Sequence, residues 1–99
     1  MPSRYRLSRA ADTDLERLYD WGIDQFGLNA ADEYYDALLT RFDEIAKSPL
    51  LWQSVDHIRA GYRRSVCGVH SIYYKIDGDE VIVIRILGRE NVETSLPES

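Results

Sequence analysis

The residue types that could carry acid–base, nucleophilic or metal chemistry are few in this sequence and stand far apart. Cys67 is the single cysteine, and His57 and His70 are the two histidines. One thiol and two separated imidazoles do not make the closely spaced ligand set that a zinc site needs. His70 begins a predicted strand on its core-facing side, which favours a hydrogen-bonded structural imidazole over a proton donor. We therefore predict no catalytic residue, no metal site and no cofactor.

Three arginines of the predicted strands, Arg63, Arg85 and Arg89, stand near apolar residues on the same predicted face. They could bind an anion, or they could be solvated side chains on the exposed face of a sheet. The valines and the tyrosine on the same predicted face favour a protein partner that covers the apolar residues while its acids pair with the arginines. The predicted partner-binding residues are Arg63, Tyr73, Lys75, Val81, Val83, Arg85, Leu87 and Arg89.

The charge of the chain is uneven. The formal net charge of −5 argues against general nucleic-acid binding, which needs a basic surface to neutralise phosphates. Residues 9–48 carry ten acids and four bases, a balance of −6, whereas residues 58–89 carry six bases and three acids, a balance of +3. An acidic half and a basic half can orient a charged partner.

The 99 residues are the length of one domain. The first residues have no apolar run behind their arginines, so they do not resemble a signal peptide. No apolar run approaches the ~20 residues that span a bilayer. We expect a cytoplasmic protein that does not bind membranes.

Two amphipathic helices follow a short alternating strand at Arg4–Leu7. Ser8 is the predicted N-cap of the first helix, in which apolar residues recur at helical spacing up to Phe26. Asn29 is the predicted N-cap of the second helix. That helix should end at Ser48, because the residue before a proline avoids helical geometry. The short connection between the helices predicts an antiparallel hairpin. Trp21 lies off the main apolar face of the first helix, so it either packs against a loop or belongs to an interface.

The hydrophobic pattern changes to a period of two after Gly61 and predicts three antiparallel strands. Before them, residues 50–60 form a predicted loop anchored by Leu51 and Trp52. Asp77-Gly78 predicts a tight hairpin. The fold class is therefore α+β, in the order β-α-α-β-β-β, with the helical hairpin packed on one face of a small antiparallel sheet and the other face open. The predicted helix-facing residues of the sheet are Ile72, Tyr74, Ile76, Ile82, Ile84 and Ile86.

Four segments of the chain, in this order and spacing, resemble the ParE-type toxins of the RelE/ParE superfamily. The resemblance covers about residues 4–91. The segments are Leu7–Leu15 (LSRAADTDL), Gly61–Arg64 (GYRR), His70–Tyr74 (HSIYY) and Ile84–Asn91 (IRILGREN).

The resemblance implies a single ParE-like domain over residues 1–99, with an ordered core at about 4–91 and a short tail at 92–99. It implies the toxin of a type II toxin–antitoxin pair, which inhibits DNA gyrase by binding and is not an enzyme. A ParD-type ribbon-helix-helix antitoxin would neutralise it in a hetero-oligomer. Operator DNA would be reached only through the antitoxin.

Two alternatives remain open within the same superfold. RelE-type ribonucleases cut messenger RNA on the ribosome and need a general acid, a general base and cations, drawn in part from the end of the chain. The sequence after Arg89 contains no His, Tyr or Lys, which favours the toxin without chemistry. An inactivated toxin that only binds its antitoxin as a co-repressor is the second alternative.

Overall fold

The computed structural model describes residues 4–88 and 92–97. Within them, two long helices pack on a five-stranded sheet of order β1-β5-β4-β3-β2. The predicted α+β arrangement is confirmed, but the sheet is mixed, because β1 runs parallel to β5 while the other pairs are antiparallel. The elements are β1 (Arg4–Leu7), α1 (Arg9–Phe26), α2 (Leu28–Lys47), β2 (Gln53–Ser54), β3 (Arg63–Cys67), β4 (His70–Asp77), β5 (Glu80–Leu87) and α3 (Val92–Ser95).

The helix ends follow their local signals with one exception. Ser8 caps α1 as predicted, because its hydroxyl oxygen accepts the backbone N–H three residues further on, at 3.0 Å. The predicted cap at Asn29 is wrong, since α2 begins at Leu28 and the carbonyl of Gly27 already accepts the N–H of Ala31 at 3.1 Å. The helix ends before Ser48, as expected.

The loop between β4 and β5 decides which side chains face the helices. It consists of Gly78 and Asp79; Gly78 has a φ of +61° and Asp79 does not have a positive φ, which is the pattern of a type II′ turn. A two-residue loop pairs even-numbered residues of β4 with odd-numbered residues of β5. Tyr74 therefore lies opposite Val83, and Lys75 lies opposite Ile82.

A bulge between Tyr73 and Tyr74 then shifts this register by one residue. Beyond it, Ile72 lies opposite Ile86, so Ile86 faces the helices as predicted. Between the two-residue loop and this shift, Ile82 and Ile84 face away from the helices. The prediction that they face the helices is wrong.

Two apolar clusters, one on each face of the sheet, hold the described residues together. The cluster under the helices includes Leu15, Leu38, Phe42, Ile45, Ile72, Tyr74, Val81, Val83 and Ile86.

The second cluster lies on the face that the sequence predicted to be open, and that prediction is wrong. The loop between β2 and β3 and the C-terminal segment cover this face, where Leu96 is 4% exposed although residues 92–99 were expected to be a tail. Burying a large aliphatic side chain stabilises the fold by ~1.5–3 kcal/mol, which explains why Ile82 and Ile84 are covered. The members of the cluster are Val55, Tyr62, Tyr73, Ile82, Ile84, Leu87 and Leu96.

The loop after α2 is anchored differently from the prediction. Leu51 is 71% exposed, whereas Val55 is fully buried and Trp52 is half-buried against the first cluster. In the parts of the chain described, 4–88 and 92–97, no helix has an apolar stretch long enough to cross a membrane.

Candidate functional site

Four residues of the predicted partner surface are buried in the protein's own core. Val81 and Val83 lie under the helices, and Tyr73 and Leu87 lie in the second cluster, each no more than 4% exposed. The expected open face does not exist, because the two-residue loop turns the valines inward and the chain's own segments cover the other two. A partner would reach the valines only if the helices moved, and Tyr73 and Leu87 only if the covering segments moved.

The basic residues of the predicted surface have contacts inside the protein. Arg63 donates a hydrogen bond to a loop carbonyl at 2.7 Å, and the Lys75 ammonium lies 5.9 Å from the centroid of a tyrosine ring. Arg85 is paired with Asp14, and Arg89 lies outside the described residues. These contacts account for the positions of three of the basic side chains without an external anion.

Asp14 on α1 is a buried carboxylate that ties this helix to β5. Its two oxygens accept hydrogen bonds from Arg85 Nε and Nη2, at 2.7 and 2.9 Å, from Arg17 Nη2 at 2.7 Å and from the N–H of Ile86 at 3.0 Å. β1 pairs with β5 only as far as Val83. The backbone N–H of Ile86 therefore bonds to the Asp14 carboxylate and not to a neighbouring strand. A buried charge with this many partners is a structural group.

Tyr34 and His70 have the residue types of an acid–base pair, and Tyr34 Oη lies 2.8 Å from His70 Nδ1. The same hydroxyl donates to the carbonyl of Cys67 at 2.8 Å and accepts the N–H of Val69 at 3.3 Å. Burial raises the pKa of Tyr34 above its ordinary value, so the phenol is neutral at physiological pH. These bonds fasten the β3–β4 turn to α2, which is the structural role expected for His70.

An apolar groove lies between the tip of the helical hairpin and the β3–β4 turn. It has a volume of about 300 Å³. Small residues form its floor, where a Cβ on Gly22 would meet the Cβ of Ala31 at 3.4 Å, so the two helices approach closely there. Trp21 and Phe26 line it from α1, and Val69 lines it from the turn.

The rim of this groove exposes large apolar side chains. Trp21 is 50% exposed, Phe26 is 68% exposed and Val69 is 74% exposed. The rings of Trp21 and Phe26 meet edge to face with their centroids 5.6 Å apart. Clustered exposed apolar side chains mark interaction sites, and aromatic residues are enriched in the centres of protein interfaces.

One end of the groove carries a positive charge. The groove continues along α1 into a wider depression of about 510 Å³ at the end of β5, and Trp21 and Val69 line both parts. Arg17 stands at this end with its side chain 69% exposed, and Asp14 lies beneath it. An apolar cleft with a cation at one end is suited to holding a peptide segment.

The sequence indicated one residue of this site, Trp21. Trp21 lies off the apolar face of its helix and is exposed, as the interface alternative required. Phe26 shares the helical spacing of the apolar residues of α1, but it is the last residue of that helix and is exposed. Val69 carried no signal, because only the folded turn brings it to the helices. Among residues 4–88 and 92–97, no three His, Cys, Asp or Glu side chains are grouped so that they could hold a metal ion.

The fold is that of a small α+β domain, and the groove is its candidate interaction site. The family model described as "ParE toxin of type II toxin-antitoxin system, parDE" matches residues 5–93, and the chain belongs to this family. The RelE/ParE-type resemblance read from the sequence is thereby confirmed. That this is a family of toxins also agrees with the prediction that the chain is not an enzyme.

Curated relatives carry the same family name. The chain is 38% identical over 88 residues to "Toxin ParE1" of Mycobacterium tuberculosis, covering 88% of this chain and 90% of the relative. It is 36% identical over 83 residues to "Toxin ParE1" of Caulobacter vibrioides, covering 84% of this chain and 85% of the relative.

Two solved structures share the fold. A chain of the chromosomal ParDE toxin–antitoxin system of P. aeruginosa superimposes with a TM-score of 0.77 at 18% identity, covering 88% of this chain and 96% of that chain. A chain of a RelBE toxin–antitoxin complex from Mycobacterium tuberculosis superimposes with a TM-score of 0.59 at 19% identity, covering 90% of this chain and all of that chain. At these identities the likeness concerns the fold alone.

Proposed function

We propose that this chain inhibits DNA gyrase by binding it, and that a ParD-type ribbon-helix-helix antitoxin neutralises it. The observation that carries the proposal is membership in the ParE toxin family, which spans residues 5–93. The proposed place of action is the cytoplasm, where gyrase works.

Action by binding rather than by chemistry is supported by the state of the ionisable groups beside the groove. The Asp14 carboxylate is occupied by two guanidinium groups and a backbone N–H. The Tyr34 hydroxyl has three partners, and burial holds its pKa above the ordinary value. A general acid or base must be free to exchange a proton with a substrate, and these groups are committed to the fold.

An antitoxin partner is supported by the solved structures that share the fold, because both are named as toxin–antitoxin systems. The proposed assembly is a hetero-oligomer in which the antitoxin supplies all contact with operator DNA, in keeping with the net charge of −5 on this chain. Arg63 and Lys75 remain partly exposed and are proposed to contact a partner at the sheet.

Induced expression tests the proposal. The chain is expressed in a gyrase-containing bacterial host, alone and together with a ParD-type antitoxin. Growth arrest that the antitoxin relieves, with messenger RNA remaining intact, is the expected result. Arrest accompanied by ribosome-dependent RNA cleavage would reverse the assignment in favour of a ribonuclease. Harmless expression without the antitoxin would identify an inactivated toxin.

A further inference from the structure

We propose that the free chain associates with a second copy of itself, and that Leu50 and Leu51 of one molecule enter the apolar groove between Trp21 and Val69 of the next. The two leucines belong to the turn that follows α2, residues 48–51, which we call the leucine turn. The inference goes beyond the proposed function, because it concerns the chain when no other partner is bound.

The leucine turn exposes two adjacent apolar side chains on a fixed backbone. Leu50 is 63% exposed and Leu51 is 71% exposed. Pro49 beside them is buried, and its carbonyl accepts a hydrogen bond from the Tyr74 hydroxyl at 2.6 Å. The N–H of Leu51 donates to the carbonyl of Ser48 at 3.1 Å. A segment that is already ordered loses little freedom on binding, so its burial contributes to affinity.

The groove and the leucine turn lie at opposite ends of α2. The helix begins at Leu28, between the groove residues Phe26 and Ala30 in the chain, and it ends at Lys47, just before the leucine turn. Its 20 residues span ~30 Å, and the described part of the molecule is 37 Å in its longest dimension. One molecule therefore cannot place its own leucines in its own groove, and the contact requires two.

The groove has the size and the rigidity to receive both leucines. A cavity of about 150 Å³ lined by apolar residues holds a benzene molecule. The groove, at about 300 Å³, therefore has room for two such rings, and a leucine side chain is smaller than a ring. Trp21 and Phe26 supply the large aromatic surfaces that dominate binding energy at interface centres. The Tyr34 hydroxyl holds the turn that carries Val69, so the groove wall is fixed before a second molecule arrives.

The two surfaces are matched in being uncharged. The chain has three runs of seven or more residues without Asp, Glu, Lys or Arg, and these are residues 25–31, 48–55 and 65–74. The first and third contribute to the groove from the hairpin tip and the β3–β4 turn, and the second contains the leucine turn. Joining them buries no unpaired charge, which would otherwise oppose association.

The charges that flank the two surfaces favour one orientation. Arg17 and Asp24 are exposed on α1, on either side of the groove residue Trp21. Glu44 and Lys47 are exposed on the last turn of α2, beside the leucine turn. An approach that sets Glu44 toward Arg17 and Lys47 toward Asp24 brings opposite charges together, whereas the reversed approach opposes like charges.

The contact joins two different surfaces, so it is heterologous. A molecule whose leucines are bound still has a groove to offer, and association continues beyond two copies unless the assembly closes. The area involved is small, which is typical of weak, reversible interfaces. Such association covers the exposed aromatic residues of the free chain.

Sedimentation equilibrium of the purified full chain tests the inference, over about 10 µM to 1 mM. The average mass should rise above that of the monomer as the concentration increases. Leu51→Asp and Val69→Asp should each weaken self-association at least about tenfold, because each puts a charge into an apolar contact. Val66→Asp is the control, since Val66 is 59% exposed and does not line the groove, and it should leave self-association within about threefold. An unmodified chain that stays monomeric over this range would overturn the inference.

Mixing the two variants tests which surfaces meet. Leu51→Asp keeps its groove and Val69→Asp keeps its leucine turn, so an equimolar mixture should form dimers although neither variant does so alone. These dimers should not grow, because neither molecule has a second working surface to offer. Circular dichroism confirms that each variant is folded. A mixture of folded variants that stays monomeric, while the unmodified chain associates, would show that the groove does not receive the leucine turn.

Discussion

Replacing Gly68 by alanine should damage the groove wall with a single methyl group. Gly68 has a φ of +61°, a region that residues with a Cβ rarely adopt. A Cβ at this position would also lie 2.5 Å from Cε1 and 2.6 Å from Oη of Tyr34, so the ring must move. The substitution therefore strains the turn and displaces the Tyr34 side chain, which fastens the turn to α2.

The two effects have separate magnitudes. Left-handed geometry costs a residue with a Cβ ~1–2 kcal/mol. Moving Tyr34 breaks its hydrogen bonds to Cys67, Val69 and His70, each with a net contribution of ~1 kcal/mol. Gly68→Ala should therefore lower the free energy of unfolding by about 4–5 kcal/mol, a large part of the ~5–15 kcal/mol that a native domain has.

Gly78 supplies the matched control. It has the same φ of +61°, but nothing lies within 4 Å of the position its Cβ would take. Gly78→Ala should therefore cost only the backbone strain, ~1–2 kcal/mol. Both variants are compared with the unmodified chain by urea denaturation followed by far-ultraviolet circular dichroism, where a changed midpoint with an unchanged slope reports stability.

A double variant isolates the contact between the two residues. In a Tyr34→Ala background the ring is absent, so the added cost of Gly68→Ala should fall to that of Gly78→Ala. If Gly68→Ala loses no more stability than Gly78→Ala in the unmodified background, then Tyr34 does not fasten the β3–β4 turn to α2.

Three further substitutions test the rest of the structure by the same denaturation experiment. Asp14→Ala should cost ~3–5 kcal/mol because it removes the acceptor of the Arg85 ion pair and of the buried Ile86 N–H. Asp79→Ala, at an exposed ion pair, should stay within ~0.5 kcal/mol, and equal effects would contradict the buried role of Asp14. Leu96→Ala should cost ~2 kcal/mol or more against ~0.5 kcal/mol or less for Leu51→Ala, and an unchanged midpoint would mean that the C-terminal segment does not cover the sheet. Burial raises the pKa of Tyr74 from 10.0 to about 12, so the neutral phenol contributes stability that is complete below pH 10 and lost as the pH rises through 12, on the order of 3 kcal/mol at most. Tyr74→Phe should flatten this decline, and an equally steep decline in that variant would refute the assignment.

Local signals in the sequence predicted the helical part of the fold well. Ser8 can cap a helix with its own hydroxyl, and a proline after Ser48 ends one, so both boundaries follow from residues in direct contact along the chain. Asn29 misled because α2 begins one residue earlier, with Gly27 as its N-cap, so Asn29 lies inside the first turn and the helix has no side-chain cap.

The faces of the sheet could be predicted only in part. The alternation of β5 leaves two choices of inner face, and the two-residue loop at Gly78 selects the one that turns Val81 and Val83 inward. The bulge beside Tyr74 reverses that choice for Ile86, and nothing in the alternating pattern indicates it. The inner face thus depends on register, which a pattern within one strand does not contain.

The candidate site was predictable at Trp21 alone. A tryptophan off the apolar stripe of its helix is visible in the sequence, but several of its neighbours in the groove come from α2 and from the β3–β4 turn. Phe26 fits the stripe and is nevertheless exposed at the last residue of α1. Exposure of this kind is a property of the assembled layers and not of the helical period.

Titration of purified gyrase with the chain tests most directly whether this protein acts by binding. Supercoiling is measured over increasing ratios of the chain to gyrase, with and without the antitoxin, and with a ribosome-bound messenger RNA assayed in parallel. The account predicts that supercoiling falls in proportion to the amount of chain bound to gyrase. It also predicts that the antitoxin restores supercoiling and that the RNA stays whole. Unaffected gyrase, together with RNA cut by trace amounts of the chain, would contradict the account.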